Sequence, residues 1–190
     1  MHKLIVIVGM TSSGKDTICK YIKEQYGINM VVSHTTRPMR SYETNGKEHW
    51  FDTEESFDKI PKEHMFAYTK FPKTSYQYCA ITDDLEPVMT YILNPDGISY
   101  MKKCSDIEFF SIYCNLPLDV IIDRATKRGD NPDLIKARID SEKDEFLSFY
   151  EQKGYDYCID TNRPLSEVFS DVDKIMNTYG YTKLKTVSPS

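Results

Sequence analysis

The hydrophobic positions near the start of the chain form one uninterrupted run over residues 4–8, which ends at Gly9. A continuous run of this kind, rich in β-branched residues, is typical of a strand that is covered on both faces. Residues 16–26 then place apolar side chains at helical spacing, and Gly27 follows as a stop signal. The chain is therefore predicted to open with a buried strand, a turn and a helix.

The same alternation of strand and helix continues along the chain. Further apolar runs that predict strands lie at residues 30–33, 90–93, 108–114 and 157–159. A polar loop at about residues 127–133 precedes a long helix, with Asn131 as N-cap, Pro132 at the first helical position and Gly154 as its end. The pattern predicts an α/β fold, a three-layer arrangement in which a parallel sheet carries helices on both faces.

One long segment, residues 34–81, interrupts this alternation. It is polar and aromatic, with short strand-like pieces at residues 48–51, 66–71 and 76–81. We expect one domain over residues 1–190. Its core comprises residues 1–33 and 82–190, with residues 34–81 as an inserted, mostly β subdomain and residues 127–133 as a short lid. Residues 185–190 are expected to form a loose tail.

Composition and charge exclude several classes of protein. The 190 residues are 40% hydrophobic and 28% charged, which is ordinary for a folded, soluble protein. A formal charge of −5 makes the chain a poor candidate for binding a nucleic acid polymer. Its apolar runs are too short for a membrane span or a signal peptide. The five cysteines form no C-x-x-C pair and are expected to be reduced thiols. We therefore expect a cytoplasmic monomer or homodimer that binds no membrane.

The strongest chemical motif lies between the first strand and the first helix. Residues 9–15 match the phosphate-loop (P-loop) pattern G-x-x-x-x-G-K in the strand–turn–helix context that it requires. In such a loop successive backbone N–H groups face one anion, the helix dipole adds to the attraction, and the lysine bridges the outer phosphates. The predicted ATP-binding residues are Gly9, Thr11, Ser12, Ser13, Gly14, Lys15, Asp16 and Thr17.

The residue after the lysine usually supplies a hydroxyl ligand for Mg²⁺. Here that position is Asp16, and Thr17 follows. Asp16 can hold the metal through water, or Thr17 can donate its hydroxyl, and the sequence does not decide between them.

A second candidate phosphate site lies at the start of the interrupting segment. Arg37 and Arg40 stand three residues apart among hydroxyl-bearing side chains. Guanidinium groups suit a phosphate monoester because they form bidentate, charge-assisted hydrogen bonds. Alone, this pair could be a solvated loop. A donor nucleotide at the P-loop, however, calls for a second phosphate site if the protein is a kinase.

Residues 33–51 resemble the nucleotide-acceptor segment of guanylate kinases, and the P-loop precedes them at that family's spacing. The resemblance extends over about residues 4–179 and is most specific over residues 9–17 and 33–51. It implies that the acceptor monophosphate is surrounded by Ser33, Arg37, Arg40, Glu43 and His49. His49 stands where the family has tyrosine. An imidazole can still donate a hydrogen bond to phosphate, with a pH dependence.

The lid also resembles that of the guanylate kinases. In the family, arginines at the positions of Arg124, Arg128 and Arg138 close over the transferring phosphoryl group, where cations stabilise the charge of the transition state. Together with Lys15 they are the predicted catalytic residues. Residues 160–162 resemble the loop that brackets the donor adenine.

The position that reads the acceptor base departs from the family pattern. Aligned without gaps, Ala67 replaces the acidic residue that accepts the guanine N–H groups, and Tyr78 stands where Ser or Thr is usual. Asp96, after the strand at 90–93, can contact the acceptor or hold Mg²⁺ indirectly, or it can simply belong to a Pro-Asp-Gly turn. Either a shifted acid (Glu63, Asp83 or Asp96) reads guanine, or the acceptor base differs.

The resemblance implies a nucleoside monophosphate kinase that transfers the γ-phosphoryl group of MgATP to GMP or dGMP. Two alternatives stay open. One is a kinase of different or broader base specificity, because residues 14–17 also resemble phage deoxynucleoside monophosphate kinases. The other is a non-catalytic module that binds protein partners. A regulatory GTPase is disfavoured because the sequence holds no Asn-Lys-x-Asp motif.

Overall fold

Two separate β-sheets organise the chain. The computed structural model describes residues 2–41, 43–71, 74–104 and 107–185. The strands are β1 (His2–Val8), β2 (His34–Thr35), β3 (Trp50–Phe51), β4 (Met65–Lys70), β5 (Gln77–Ile81), β6 (Val88–Ile92), β7 (Ile107–Asn115) and β8 (Tyr157–Asp160). The helices are α1 (Lys15–Tyr26), α2 (Glu54–Asp58), α3 (Pro95–Met101), α4 (Leu118–Lys127), α5 (Pro132–Glu151) and α6 (Leu165–Thr178). Short 3₁₀ turns lie at Lys62–His64 and Thr82–Asp84.

Each sheet has four strands. The sheet with more residues in its strands, called the larger sheet, is parallel throughout, with strand order β6-β1-β7-β8. Because side chains alternate across a strand, β1 supplies both faces of this sheet. Leu4, Val6 and Val8 pack into the cluster formed with α3, α4 and α5. Ile5 and Ile7 pack into the cluster formed with α1 and α6. This confirms the predicted three-layer α/β fold with helices on both faces.

The smaller sheet is mixed and lies wholly within residues 34–81. Its order is β3-β2-β5-β4, with β2 antiparallel to β5, β5 antiparallel to β4, and β3 parallel to β2. The interrupting segment is therefore mostly β, as predicted. β2 was not predicted, because a strand of two residues carries no readable periodicity. The sheet packs against the core mainly through β4 and α3.

Two sequence predictions of local structure were wrong. Residues 30–33 form only an isolated bridge between Met30 and Thr90 instead of a strand. The chain leaves the large sheet there, because the carbonyl of Ser33 accepts from the backbone N–H of Trp50 in the other sheet (2.9 Å). The long helix begins as predicted, with Asn131 as N-cap, but it ends at Glu151, three residues before Gly154.

Two further points concern the tail of the chain and membrane-spanning helices. Apart from residue 185, the predicted tail lies outside the described residues. Within the described residues, we find no helix that has both the length and the apolar character needed to cross a membrane.

Candidate active site

The P-loop closes tightly over the ends of two neighbouring strands. Gly9 has a φ of 153°, and a Cβ placed on it would lie 2.6 Å from Ser13 Oγ and 2.8 Å from the carbonyl oxygen of Cys114. Gly14 caps α1 in the left-handed region, with a φ of 93°. Any other residue at position 9 would collide with backbone, so this turn requires glycine.

The loop holds polar groups that have no protein partner. The hydroxyl oxygens of Ser12 and Ser13 are both buried, and neither makes a hydrogen bond with the described residues. A buried hydroxyl without a partner is costly, and an anion seated in the loop would satisfy both groups. The residues present therefore fit a phosphate.

Lys15 supplies the positive charge of this loop. Its ammonium group donates to the carbonyl of Met10 at 2.7 Å, so it folds back over the loop. Burial lowers the pKa of Lys15 from its ordinary value, although the carboxylate of Asp16 acts in the opposite direction. Desolvation disfavours a lone ammonium, and a bound anion would compensate for it.

The two predicted metal ligands, Asp16 and Thr17, lie in the first turn of α1 and are exposed. Asp16 lines a second cleft together with Lys20, Lys23 and Asp84. Neither Asp16 nor Thr17 lines the cleft that holds Lys15.

That cleft, of about 320 Å³, brings the two predicted phosphate sites together. The sequence-predicted residues that line it are Gly9, Thr11, Lys15, Ser33, Arg37, Arg40, Glu43, His49, Tyr78 and Arg138. They come from the P-loop, the smaller sheet with its loops, and α5. Their individual roles stay predictions.

The centre of the predicted acceptor half of the cleft is a buried ion pair between Arg37 and Glu43. Arg37 donates from Nη1 to Glu43 Oε2 (2.9 Å) and from Nη2 to Oε1 (2.7 Å), and from Nε to the Tyr78 hydroxyl (3.2 Å). The two charged side chains are only 12% and 5% exposed. The backbone N–H of Arg40 also donates to Glu43, at 2.8 Å. Glu43 thus fixes the orientation of Arg37 and shapes the Arg40 loop.

This pair makes stability depend on pH. The hydrogen bond from Arg37 lowers the pKa of Glu43 to about 2, from 4.5. A lowered carboxyl pKa stabilises the fold above the ordinary value, and the contribution is lost as pH falls from 4.5 toward 2. Glu43→Gln should therefore lower the free energy of unfolding by about 3 kcal/mol at pH 7, and by progressively less below pH 4.5.

Denaturant unfolding of the wild type and the variant between pH 7 and pH 3 measures this difference. The matched control is Glu55→Gln, which removes an exposed carboxylate paired with Lys59 and should change stability little at any pH. A Glu43→Gln deficit that stays constant down to pH 3 would show that the ion pair is not its cause.

His49 lies between this pair and the core. Its Nδ1 is 2.8 Å from the Ser33 hydroxyl, and its ring makes edge contacts with Phe51 and Tyr78. Burial, with the charge of Arg37 second, lowers the pKa of His49. The ring is therefore neutral at pH 7, and the expected pH dependence of phosphate capture is confined to the acid side of the ordinary histidine range.

The three predicted lid arginines lie at different sites, each with a protein acceptor. Arg138 lines the cleft, and its Nε donates to Glu142 at 2.6 Å. Arg124 donates to the carbonyl of Thr161 at 2.7 Å, which joins the lid to the loop predicted to bracket adenine. Arg128 caps α4 and pairs with Asp130. Only Arg138 lines the cleft in this structure.

The acids proposed from the sequence to read the base do not line the cleft. Glu63 and Asp83 are exposed, and Asp83 pairs with His64. Asp96 contributes its backbone N–H to Glu145, at 3.1 Å, and its side chain is exposed. Asp96 thus belongs to the first turn of α3, whose N-cap is Asn94.

Sequence reasoning missed two acids that do line the cleft, Glu142 and Glu145. Both belong to α5, four and seven residues after Arg138, so they share its face of the helix. That spacing was the one signal in the sequence that could have found them.

Comparison with known proteins agrees with this architecture. The family model described as guanylate kinase matches residues 1–179. A guanylate kinase of Caldanaerobacter subterraneus subsp. tengcongensis is 41% identical over 162 residues, covering 80% of this chain and 74% of that protein. One from Desulfotalea psychrophila is 28% identical over 165 residues, covering 83% and 80%.

Among solved structures, the guanylate kinase from Anaplasma phagocytophilum has the same fold. It matches with a TM-score of 0.64 at 17% identity, over 97% of this chain and 88% of that one. The family model and the sequence relatives together show that the chain belongs to the guanylate kinase family of nucleoside monophosphate kinases.

Proposed function

We propose that this protein transfers the γ-phosphoryl group of ATP to GMP or dGMP. The observation that carries the proposal is the shared cleft, in which Lys15 of the P-loop and the Arg37–Arg40 pair line one space. Transfer between two nucleotides requires two phosphate sites that face each other, with no water between them. Binding of a single nucleotide would leave the second site without a purpose.

The donor end is built from backbone and small side chains. The unpartnered hydroxyls of Ser12 and Ser13 and the N–H groups at the start of α1 would hold the phosphates of ATP. Lys15 would exchange its hydrogen bond with the Met10 carbonyl for one with a phosphate oxygen. In-line transfer requires no protein nucleophile, so positioning and charge stabilisation are the whole contribution of the chain.

Mg²⁺ fits the donor set in the first turn of α1, where an exposed carboxylate and an exposed hydroxyl offer oxygen ligands of the kind that it prefers. Asp16, through water, and Thr17 are the residues that would hold it. When bound, the metal neutralises phosphate charge and orients the leaving group.

The acceptor end is organised before any ligand binds. Glu43 holds the Arg37 guanidinium in one orientation, while the Arg40 side chain is 54% exposed and can turn toward a phosphate. Ser33 and His49 add two further hydrogen-bonding groups on the same wall. A neutral His49 ring can donate through one nitrogen without adding charge.

Closure would bring the remaining cations to the transferring group. We propose that the lid at residues 127–133 and the segment 34–81 close over the bound nucleotides and exclude water. Arg124 and Arg128 would then exchange their present acceptors, the Thr161 carbonyl and Asp130, for phosphoryl oxygens. Arg138 already lines the cleft.

The cellular location, oligomeric state and partners that we propose rest on three observations. All five cysteines are free thiols, which accords with a reducing cytoplasm. One chain supplies both phosphate sites, so a monomer or a homodimer meets the requirement. The net negative charge argues against a nucleic acid polymer as partner.

A coupled ADP-release assay with MgATP and a panel of monophosphates tests the proposal. We expect turnover with GMP and dGMP, and little with AMP, CMP, UMP or dTMP. Buried Ala67 in the cleft wall favours a second candidate, a kinase of broader base specificity, which comparable rates with several bases would support. No turnover with any acceptor would contradict both and favour a non-catalytic binding module.

A further inference from the structure

Selective recognition of guanine favours a carboxylate acceptor, and the cleft-lining residues of β4, Ala67, Tyr68 and Thr69, include none. The Watson–Crick edge of guanine carries a ring N–H and an exocyclic amino group, both donors, so a site selective for it presents carboxylate or carbonyl oxygens. Ala67 is 2% exposed and lines the cleft with a methyl group only. An acceptor must come from another wall.

Within the described residues, three carboxylates line the cleft: Glu43, Glu142 and Glu145. Glu43 accepts two hydrogen bonds from the Arg37 side chain and one from the Arg40 backbone. Glu142 accepts from Arg138 Nε at 2.6 Å. Both are therefore paired with cations of the proposed phosphate sites, and Glu145 is the one of the three that has no cationic partner among the described residues.

The two oxygens of Glu145 have different surroundings. Oε1 accepts from the Asn94 side-chain amide at 3.3 Å and from the backbone N–H of Asp96 at 3.1 Å. Oε2 accepts no hydrogen bond within the described part of the chain. Burial raises the pKa of Glu145, with no cation among the causes. The side chain is thus held by one oxygen, and the other has no hydrogen-bond donor among the described residues.

The cleft wall formed by β4 and the start of α3 carries small residues at two positions, Ala67 and Gly97. β4 packs against α3, and the cleft-facing residue in the first turn of α3 is Gly97. A Cβ on Gly97 would lie 2.8 Å from Leu93 Cδ2 and 3.0 Å from Asn94 Oδ1, so the position admits no side chain without a shift. At these two cleft-lining positions, near the start of α3, no side chain larger than a methyl group enters the cleft.

We propose that Oε2 of Glu145 accepts a hydrogen bond from the exocyclic amino group of the acceptor guanine, so that Glu145 is the specificity-determining residue for the base. The inference rests on the proposed function, since it concerns the acceptor of that same transfer. It places base recognition on α5, seven residues after the phosphate-site residue Arg138.

Glu145→Gln is the sharpest test. The carbonyl oxygen of glutamine still accepts from Asn94 and Asp96, because the amide nitrogen cannot face those two donors. Its NH₂ group then replaces Oε2 and opposes the guanine amino group, donor against donor. IMP carries only C–H at that position and is insensitive to the change. The expected result is a loss of about 30- to 100-fold in the GMP-over-IMP ratio of kcat/KM, from the size of a charge-assisted hydrogen bond.

The matched control is Asp144→Asn, which removes an exposed carboxylate from the neighbouring position of the same helix and should leave the ratio unchanged. Thermal unfolding of Glu145→Gln shows whether the anchoring of α3 survives. A purely structural role would lower the rates with GMP and IMP alike and leave their ratio intact, which would overturn the inference. Equal use of GMP and IMP by the wild type would overturn it too, with the kinase function still standing. Absence of all turnover by the wild type would instead contradict the proposed function.

Discussion

Replacing Lys15 by alanine should lower the rate of phosphoryl transfer by about 10³-fold or more, while the protein stays folded. Lys15 is the only cationic side chain of the P-loop motif at residues 9–17, and it lines the cleft between the two phosphate sites. Without it, charge that develops between donor and acceptor loses its closest fixed cation. The coupled assay with saturating MgATP and GMP measures the loss in kcat.

Stability should change little in this variant. Among the described residues, Lys15 donates to the Met10 carbonyl alone, and that carbonyl also accepts from the Ser13 N–H at 3.3 Å. Removing the lysine therefore leaves that carbonyl with a partner, and it relieves the burial of an ammonium group. The matched control is Lys20→Ala, on the same helix but 77% exposed and paired with Glu24, which should keep wild-type activity. Full activity of Lys15→Ala would contradict the assignment of the P-loop as the donor site.

Replacing Arg37 by alanine should raise the KM for the acceptor by about 100-fold, from the loss of a charge-assisted contact with its phosphate. It should also lower the free energy of unfolding by about 3 kcal/mol, because Glu43 is left as a buried carboxylate without its main partner. The two effects have different causes and can be separated.

The double variant Arg37→Ala/Glu43→Gln separates them. Glutamine removes the unpaired charge, so most of the lost stability should return, while the KM for GMP should stay high. Denaturant unfolding and steady-state kinetics on the wild type, both single variants and the double variant complete the cycle. If the double variant recovers a wild-type KM, Arg37 serves only to hold the loop and does not bind the acceptor.

Several features of the fold and the site could be predicted from the sequence because they depend on neighbouring residues. The P-loop follows from glycine at two positions where the backbone needs a positive φ and from the strand and helix that flank it. The start of α5 followed from Asn131 and Pro132 for the same reason, since caps act within a single turn. The residues that specify a turn or a helix cap lie within a few positions of it, so the sequence alone is enough to predict such features.

Features that depend on contacts between residues far apart in the chain could not be predicted from the sequence. Residues 30–33 have the composition of a strand, but the Ser33 carbonyl pairs with Trp50 in the other sheet, and the pairing with β6 stops after one bridge. In the sequence, Glu145 is one of several charged residues within a long predicted helix. Only its contacts with Asn94 and Asp96, about 50 residues earlier, set it apart.

The amino-acid sequence by itself determined the α/β architecture and the P-loop motif, and it predicted the arginine-bearing segment as the acceptor site, because each depends on residues close together in the chain. Tertiary structure alone decided that Arg37 is held by Glu43 inside a cleft shared with Lys15, that burial lowers the pKa of His49, and that α5 supplies two of the carboxylates lining that cleft. The physical reason is that burial and charge pairing depend on which elements pack together. Local pattern fixes the elements, whereas desolvation and hydrogen-bond partners exist only after they have assembled.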